Sequence, residues 1–260
     1  MNIVCVQLDC VWDNKPANHD KVSQLLDAAQ PKKDALVVLP EMFASGFSMN
    51  APAITDSATN ESYNFLSQTA KAYGVYLMAG IVTTDVSGKG RNESVTFRPD
   101  GSELARYCKL HPFTLGGELA AYVKGEDVVT FQCQEFLVAP FICYDLRFPE
   151  AFRVAAVRGA NLITVIASWP NVRHHHWVKL LHARAIENEA YVMGVNRCGW
   201  DPKLEHAGGS LIIDPQGNTL LEAGTEECAI SAELNLSELL SYREKLPFLK
   251  DIRADFVADR

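Results

Sequence analysis

A thiol, a carboxylate and an ammonium together suffice for acyl transfer: one attacks, one moves protons, one holds the developing oxyanion. In this chain one residue of each type stands where an apolar run ends. Cys143 follows the run 136–142 and leads through Tyr144-Asp145-Leu146-Arg147-Phe148 into Pro149, a preferred first helical residue. That places the cysteine at a strand-to-helix turn, where freed amides and the positive helix end favour a thiolate and an oxyanion. Glu41 closes Ala35-Leu36-Val37-Val38-Leu39-Pro40, so a carboxylate sits where a buried strand emerges. Desolvated there, it could serve as a general base. Lys109 ends the strand-like Leu104-Ala105-Arg106-Tyr107-Cys108, just before His111-Pro112. Each also has a plain structural explanation: an inert core thiol, a solvent-facing glutamate, a lysine with its stem on apolar surface. None of the seven histidines has an Asp or Asn context that marks a Cys–His pair.

These residues need elements to hold them, and the chain alternates strand-like with helix-like segments. Strands are expected over 3–8, 35–39, 75–82, 138–143, 162–167, 191–196 and 228–234. Leu211 to Leu221 reads as a hairpin around Asp214-Pro215-Gln216-Gly217. Helices are expected near Val22 to Ala29 with Asn18 as cap, and over 61–73 before Gly74. Others fall over 149–158 before Gly159, 175–190 and 237–243. Alternation implies an α/β layered fold, and the hairpin a mixed sheet. With no linker or composition break, residues 1–260 read as one domain, with a polar, irregular tail from Phe248.

A net charge of −8 without basic runs excludes a nucleic-acid partner, and no apolar run reaches the ~20 residues of a membrane helix. Seven scattered cysteines without CxxC spacing, and no signal peptide, point to free thiols in the cytoplasm. The run His174-His175-His176 lacks the i, i+4 spacing of helical metal ligands, so no metal is expected and a helix entrance near a pocket mouth is.

Taken jointly, Leu39-Pro40-Glu41-Met42, Tyr107-Cys108-Lys109-Leu110-His111 and Ile142-Cys143-Tyr144-Asp145-Leu146-Arg147-Phe148-Pro149-Glu150 resemble the nitrilase (carbon–nitrogen hydrolase) superfamily, whose members use a Glu–Lys–Cys triad. The likeness also takes in the opening strand, Ala183-Arg184-Ala185-Ile186-Glu187-Asn188 and the Gly209 to Gly217 hairpin. The stretch 41–49, Trp169-Pro170, Arg173, Trp177 and Gly194-Val195-Asn196-Arg197 are most similar to the omega-amidase branch, from which the triple histidine departs.

The resemblance implies a four-layer αββα sandwich, usually a homodimer, with the tail at about 248–260 reaching the partner. It makes Glu41 the general base, Lys109 the oxyanion stabiliser, Cys143 the nucleophile and the Tyr144 backbone N–H a second oxyanion donor. Glu118, ahead of Gly125, takes the place of a further glutamate. The implied substrate is a small linear amide with a 2-oxo acid at its far end, and no cofactor is implied. Arg147 or Arg173 would pair with that carboxylate, and Phe43, Tyr144 and Trp169 would wall the pocket. An N-carbamoyl amino acid amidohydrolase and an idle scaffold member are the alternatives.

Overall fold

The computed structural model describes residues 1–57, 59–253 and 255. Strands β1 (Asn2–Gln7), β2 (Leu36–Val38), β3 (Tyr76–Thr84), β4 (Gly90–Phe97) and β5 (Glu103–Cys108) lie in the first half. They are followed by β6 (Phe131–Cys133), β7 (Phe136–Ile142), β8 (Leu162–Ala167), β9 (Tyr191–Asn196) and β10 (Cys198–Trp200). The last are β11 (Glu205–Ala207), β12 (Leu211–Ile213), β13 (Thr219–Glu222) and β14 (Cys228–Glu233). The helices are α1 (Lys15–Ala29), α2 (Ala51–Ile54), α3 (Glu61–Tyr73), α4 (Glu118–Ala121), α5 (Pro149–Val157), α6 (His174–Asn188) and α7 (Leu236–Lys245).

Two mixed sheets of six strands result, ordered β14-β1-β2-β3-β4-β5 and β13-β12-β9-β8-β7-β6. Strands β1, β2 and β3 are parallel, as are β7, β8 and β9, and antiparallel strands complete the edges. Side-chain alternation explains the layering. From β1 and β2, Ile3, Cys5, Leu36 and Val38 join Val138, Ile163 and Val192 of the second sheet in one core. Their neighbours Val4, Val6 and Val37 pack instead with Val22 and Leu26 of α1 and Leu66 and Ala70 of α3. On the far side, Phe152 and Ala155 of α5 and Trp177, Leu181 and Ala185 of α6 cover the second sheet. The order is helices, sheet, sheet, helices, the expected αββα sandwich. With both faces covered, central strands read as unbroken apolar runs, which is why β8 and β9 have the expected bounds.

Two differences from the expected elements have physical causes. Asn14, not Asn18, caps α1, its side chain accepting from the Ala17 N–H at 3.1 Å. Asn18 is buried inside that helix and donates to the Val11 and Ala44 carbonyls. Strand β4 has no counterpart in the apolar pattern because Asn92, Ser94 and Thr96 are polar yet buried. The short β10–β11 pair is likewise unforeseen. The tail over 248–260 begins with a short 3-10 turn, Phe248–Asp251; residues 254 and 256–260 lie outside the described residues. No helix among the described residues is long and apolar enough to cross a membrane.

Candidate active site

Strand ends of both sheets converge on one buried cluster. The chain leaves β2 through Leu39-Pro40 and turns at Glu41-Met42, with Met42 at φ +47°. Gly80 of β3 seats that turn: its N–H donates to the Pro40 carbonyl at 3.1 Å and its carbonyl accepts from Phe43 at 3.2 Å. A Cβ on Gly80 would lie 2.6 Å from the Glu41 Cα, so only glycine permits the approach. Lys109 follows β5 and donates its backbone N–H to the Asn92 carbonyl of β4 at 2.9 Å. Across it runs the loop at Gly125, whose N–H donates to the Lys109 carbonyl at 2.8 Å; a Cβ there would collide with the Cys108 carbonyl oxygen.

The side chains meet inside. Lys109 Nζ donates to Glu41 Oε1 at 2.8 Å and to Glu118 Oε2 and Oε1 at 2.9 and 3.2 Å. Asn92 Nδ2 donates to both carboxylates, at 2.8 Å to Glu41 Oε1 and 2.9 Å to Glu118 Oε1. The Ser168 N–H donates to Glu41 Oε2 at 2.9 Å, and the Phe113 N–H to Glu118 Oε2 at 2.5 Å. Glu41, Glu118, Lys109 and Asn92 are each at most 1% exposed. Removing the three charged groups from water is tolerable only because each finds partners. Burial would lower the Lys109 pKa, but Glu118 and Glu41 outweigh it and hold the ammonium well above its usual range.

Cys143 begins a 3-10 turn after β7 and adopts φ +46°. A left-handed conformation costs a non-glycine residue roughly 1–2 kcal/mol, and it turns this one toward the cavity. Burial pushes the thiol well above its ordinary value; the Glu41 carboxylate adds to that, against Lys109 and the Ser168 N–H. Burial thus works against the thiolate that the strand-to-helix turn and the ammonium favour.

Above the cluster opens a cavity of about 480 Å³ with Cys143, Ser168 and Phe47 among its lining. Tyr144, Arg147, Trp169 and Arg173 line it too, as expected. The Arg147 guanidinium lies over the Trp169 ring at 4.7 Å, with both terminal nitrogens 3.4 Å from His176 Nδ1. Arg173 lies over Phe113 at 5.6 Å. Among the described residues neither guanidinium has a carboxylate partner. Burial, then the nearby Arg173, lowers the Arg147 pKa.

Phe43 departs from its expected place. It is fully buried against His19 and Phe65 in the core between the first sheet and its helices, so it does not wall the cavity; Phe47 and Phe113 do. The side chain of residue 43 follows Glu41 by two positions and shares a different surface of the turn. The triple histidine opens α6: His174 packs against Gly209, while His176, its ring 4.1 Å from that of His175, faces Arg147.

Sequence reasoning missed Asn92, Ser168 and the β10–β11 hairpin, whose Asp201, Leu204 and His206 form the outer wall. Asp201 accepts from His206 Nε2 at 3.0 Å and from the Leu204 N–H at 2.7 Å, bracing that hairpin. The polar stretch Arg91-Asn92-Glu93-Ser94 carries no apolar alternation, so nothing in the sequence marked Asn92.

The arrangement can move a proton between carboxylate and thiol and stabilise an oxyanion beside the ammonium. The profile of the carbon–nitrogen hydrolase family matches residues 2–244. A 2-oxoglutaramate amidase of Bacillus subtilis is 35% identical, over 97% of this chain and 98% of that protein. Omega-amidase YafV of Escherichia coli K12 is 35% identical over 96% of each chain. Among solved structures, the CN-hydrolase superfamily protein XC1258 of Xanthomonas campestris, bearing an arsenic adduct in its active site, superposes with TM-score 0.91. It has 30% identity, over 97% of each chain.

Proposed function

The chain belongs to the carbon–nitrogen hydrolase family, and we propose that it is an amidohydrolase releasing ammonia from a small linear omega-amide of a 2-oxo dicarboxylate. The substrate class is that of 2-oxoglutaramate, and the relatives named for omega-amide hydrolysis support it over nearly their full length. The observation that carries the mechanism is the buried Glu41–Lys109–Glu118 cluster, joined through the Ser168 N–H to the wall of a cavity that holds Cys143.

Cys143 Sγ attacks the amide carbon as Glu41 accepts the thiol proton, so sulfur becomes nucleophilic only when substrate is in place. The resulting oxyanion is held by the Lys109 ammonium and the Tyr144 backbone N–H. Glu41 returns the proton to the departing nitrogen, ammonia leaves, and a thioester remains. Water then gives Glu41 a proton and attacks the thioester; a second oxyanion collapses, releasing the acid and restoring the thiol. Glu118 and Asn92 keep the ammonium and Glu41 in register throughout. At the far end Arg147 and Arg173, without a carboxylate partner among the described residues, provide the charge for the substrate carboxylate, with Trp169 and Tyr144 as walls. A chain of net charge −8 repels anions in general, so this local pair of cations matters to binding.

Seven free cysteines support a cytosolic setting, and exposed Val157 and Ile186 on α5 and α6 support a homodimer through the helical layer. Mass spectrometry of enzyme quenched during turnover of 2-oxoglutaramate tests the proposal. The expected product is the 2-oxoglutaryl thioester on Cys143. A carbamoyl adduct from N-carbamoyl amino acids alone, or normal turnover by Cys143→Ala, would overturn it.

A further inference from the structure

We propose that Asp145 is a positioning residue for the reaction, fixing the turn that carries Cys143 to the strand end that carries Lys109. The inference rests on the reading of Cys143 as nucleophile. Asp145 is fully buried, and it does not line the cavity. Its carboxylate accepts four hydrogen bonds, which is what a charge removed from water requires. Oδ2 accepts from the Tyr107 hydroxyl at 2.7 Å and from the Ile142 N–H at 3.0 Å. Oδ1 accepts from the His111 N–H at 2.9 Å and from His111 Nδ1 at 2.9 Å. An ionised carboxylate can only accept, so Nδ1 carries the hydrogen.

The partners are placed on both sides of the chemistry. Ile142 immediately precedes Cys143, whereas Tyr107 and His111 flank Lys109 in the chain. One side chain therefore ties the nucleophile's turn to the ammonium's segment. The His111 ring also stacks on Phe148, at the end of the same turn, with centroids 3.9 Å apart. Other bonds to the turn do not reach the Lys109 segment: Arg184 donates to the Leu146 carbonyl at 2.6 Å, and the Phe148 N–H to the Asp145 carbonyl at 2.9 Å. A left-handed cysteine persists only where its surroundings over-determine it. Asp145 supplies that constraint directly through the Ile142 N–H.

Asp145→Asn keeps the shape but turns an NH2 group toward two donors, so one of the two pairs must part. A misplacement of about 1 Å can cost 10²-fold in rate. The expected result is a kcat reduced roughly 10²-fold with KM for 2-oxoglutaramate within about threefold of the parent. Iodoacetamide labelling of Cys143, read by mass, should stay near one per chain with no adduct on the buried Cys5, Cys10, Cys133 and Cys198, which only unfolding exposes. Tyr107→Phe and His111→Ala, each deleting donors one side at a time, should lower kcat in smaller steps without moving KM. An Asp145→Asn enzyme with a lower Tm but parental kcat per labelled site overturns the inference. Should Asp145→Asn fail to fold, parental kcat in both Tyr107→Phe and His111→Ala overturns it equally. A parent that turns over amides with Cys143 blocked would instead sink the nucleophile reading itself.

Discussion

Replacing Lys109 by methionine tests the charge balance of the buried cluster. The substitution keeps the length of the side chain and removes its ammonium, leaving Glu41 and Glu118 bridged by the same Asn92 amide with no cation between them. Breaking a buried pair by removing one partner costs roughly 3–5 kcal/mol. For a chain of this size about 2–4 °C accompany each kcal/mol, so Tm at pH 7.5 should fall by roughly 6–20 °C. Two carboxylates that close cannot both stay ionised, so the folded variant retains a proton that the unfolded chain, with free glutamates near 4.3, has released. More protons in the folded state means that stability rises as pH falls. The variant should therefore recover stability relative to the parent between pH 8 and pH 5. In the parent the raised Lys109 pKa contributes fully below about 10.4, the unfolded value, and is lost only as pH climbs through the raised one. Its contribution is flat over the same window. Urea titrations at four pH values measure the difference. Adding Glu118→Gln should restore part of the stability without restoring kcat, which falls at least ~10²–10³-fold with one oxyanion donor gone. A Lys109→Met enzyme as stable as the parent at pH 7.5, with no gain on acidification, would refute the electrostatic account.

Two further outcomes follow from the cavity. Because the Cys143 thiol lies well above its ordinary value, its alkylation by iodoacetamide should keep accelerating from pH 7 to pH 10; a plateau at or below pH 8 would count against a neutral resting thiol. Losing a charge-assisted hydrogen bond costs about 1.5–3 kcal/mol, so Arg147→Met should raise KM for 2-oxoglutaramate roughly 10–100-fold and spare an uncharged amide. Equal changes for both substrates would remove Arg147 from carboxylate recognition.

How much of this was legible depended on which physical signal each residue left. Strands buried on both faces, such as Leu162–Ala167, announce themselves as apolar runs, and α3 by its spacing and its Gly74 cap. Glu41, Lys109 and Cys143 stood out because each interrupts or ends such a run. Asn92 did not, because β4 buries Asn92, Glu93, Ser94 and Thr96, each at most 2% exposed. A strand whose buried face serves a polar site lacks the hydrophobic pattern by which strands are found. Phe43 failed in the opposite sense. Near a catalytic glutamate an aromatic ring looks like a pocket wall, yet the left-handed Met42 turns the chain, and Phe43 enters the outer core. Position along a strand end does not encode such a turn.

A thiol raised by burial changes what the proposed base must do. A cysteine activated in advance by a helix end or a lone ammonium would need Glu41 only for the leaving group and for water. Here Lys109 is shared by Glu41 and Glu118, and burial, with the Glu41 carboxylate adding to it, raises the thiol against the pull of the ammonium. In the proposed mechanism Glu41 then takes the sulfur's proton in the acylation step itself. The oxygen that can do so is Oε2, since Oε1 already accepts from Lys109 and Asn92 whereas Oε2 is held by the Ser168 N–H alone. That N–H also lies close enough to favour the thiolate, so one backbone donor faces both proton sites. The same oxygen is the one left to activate water for deacylation. A single carboxylate, with one oxygen fixed and the other lightly held, can thus serve both half-reactions without histidine.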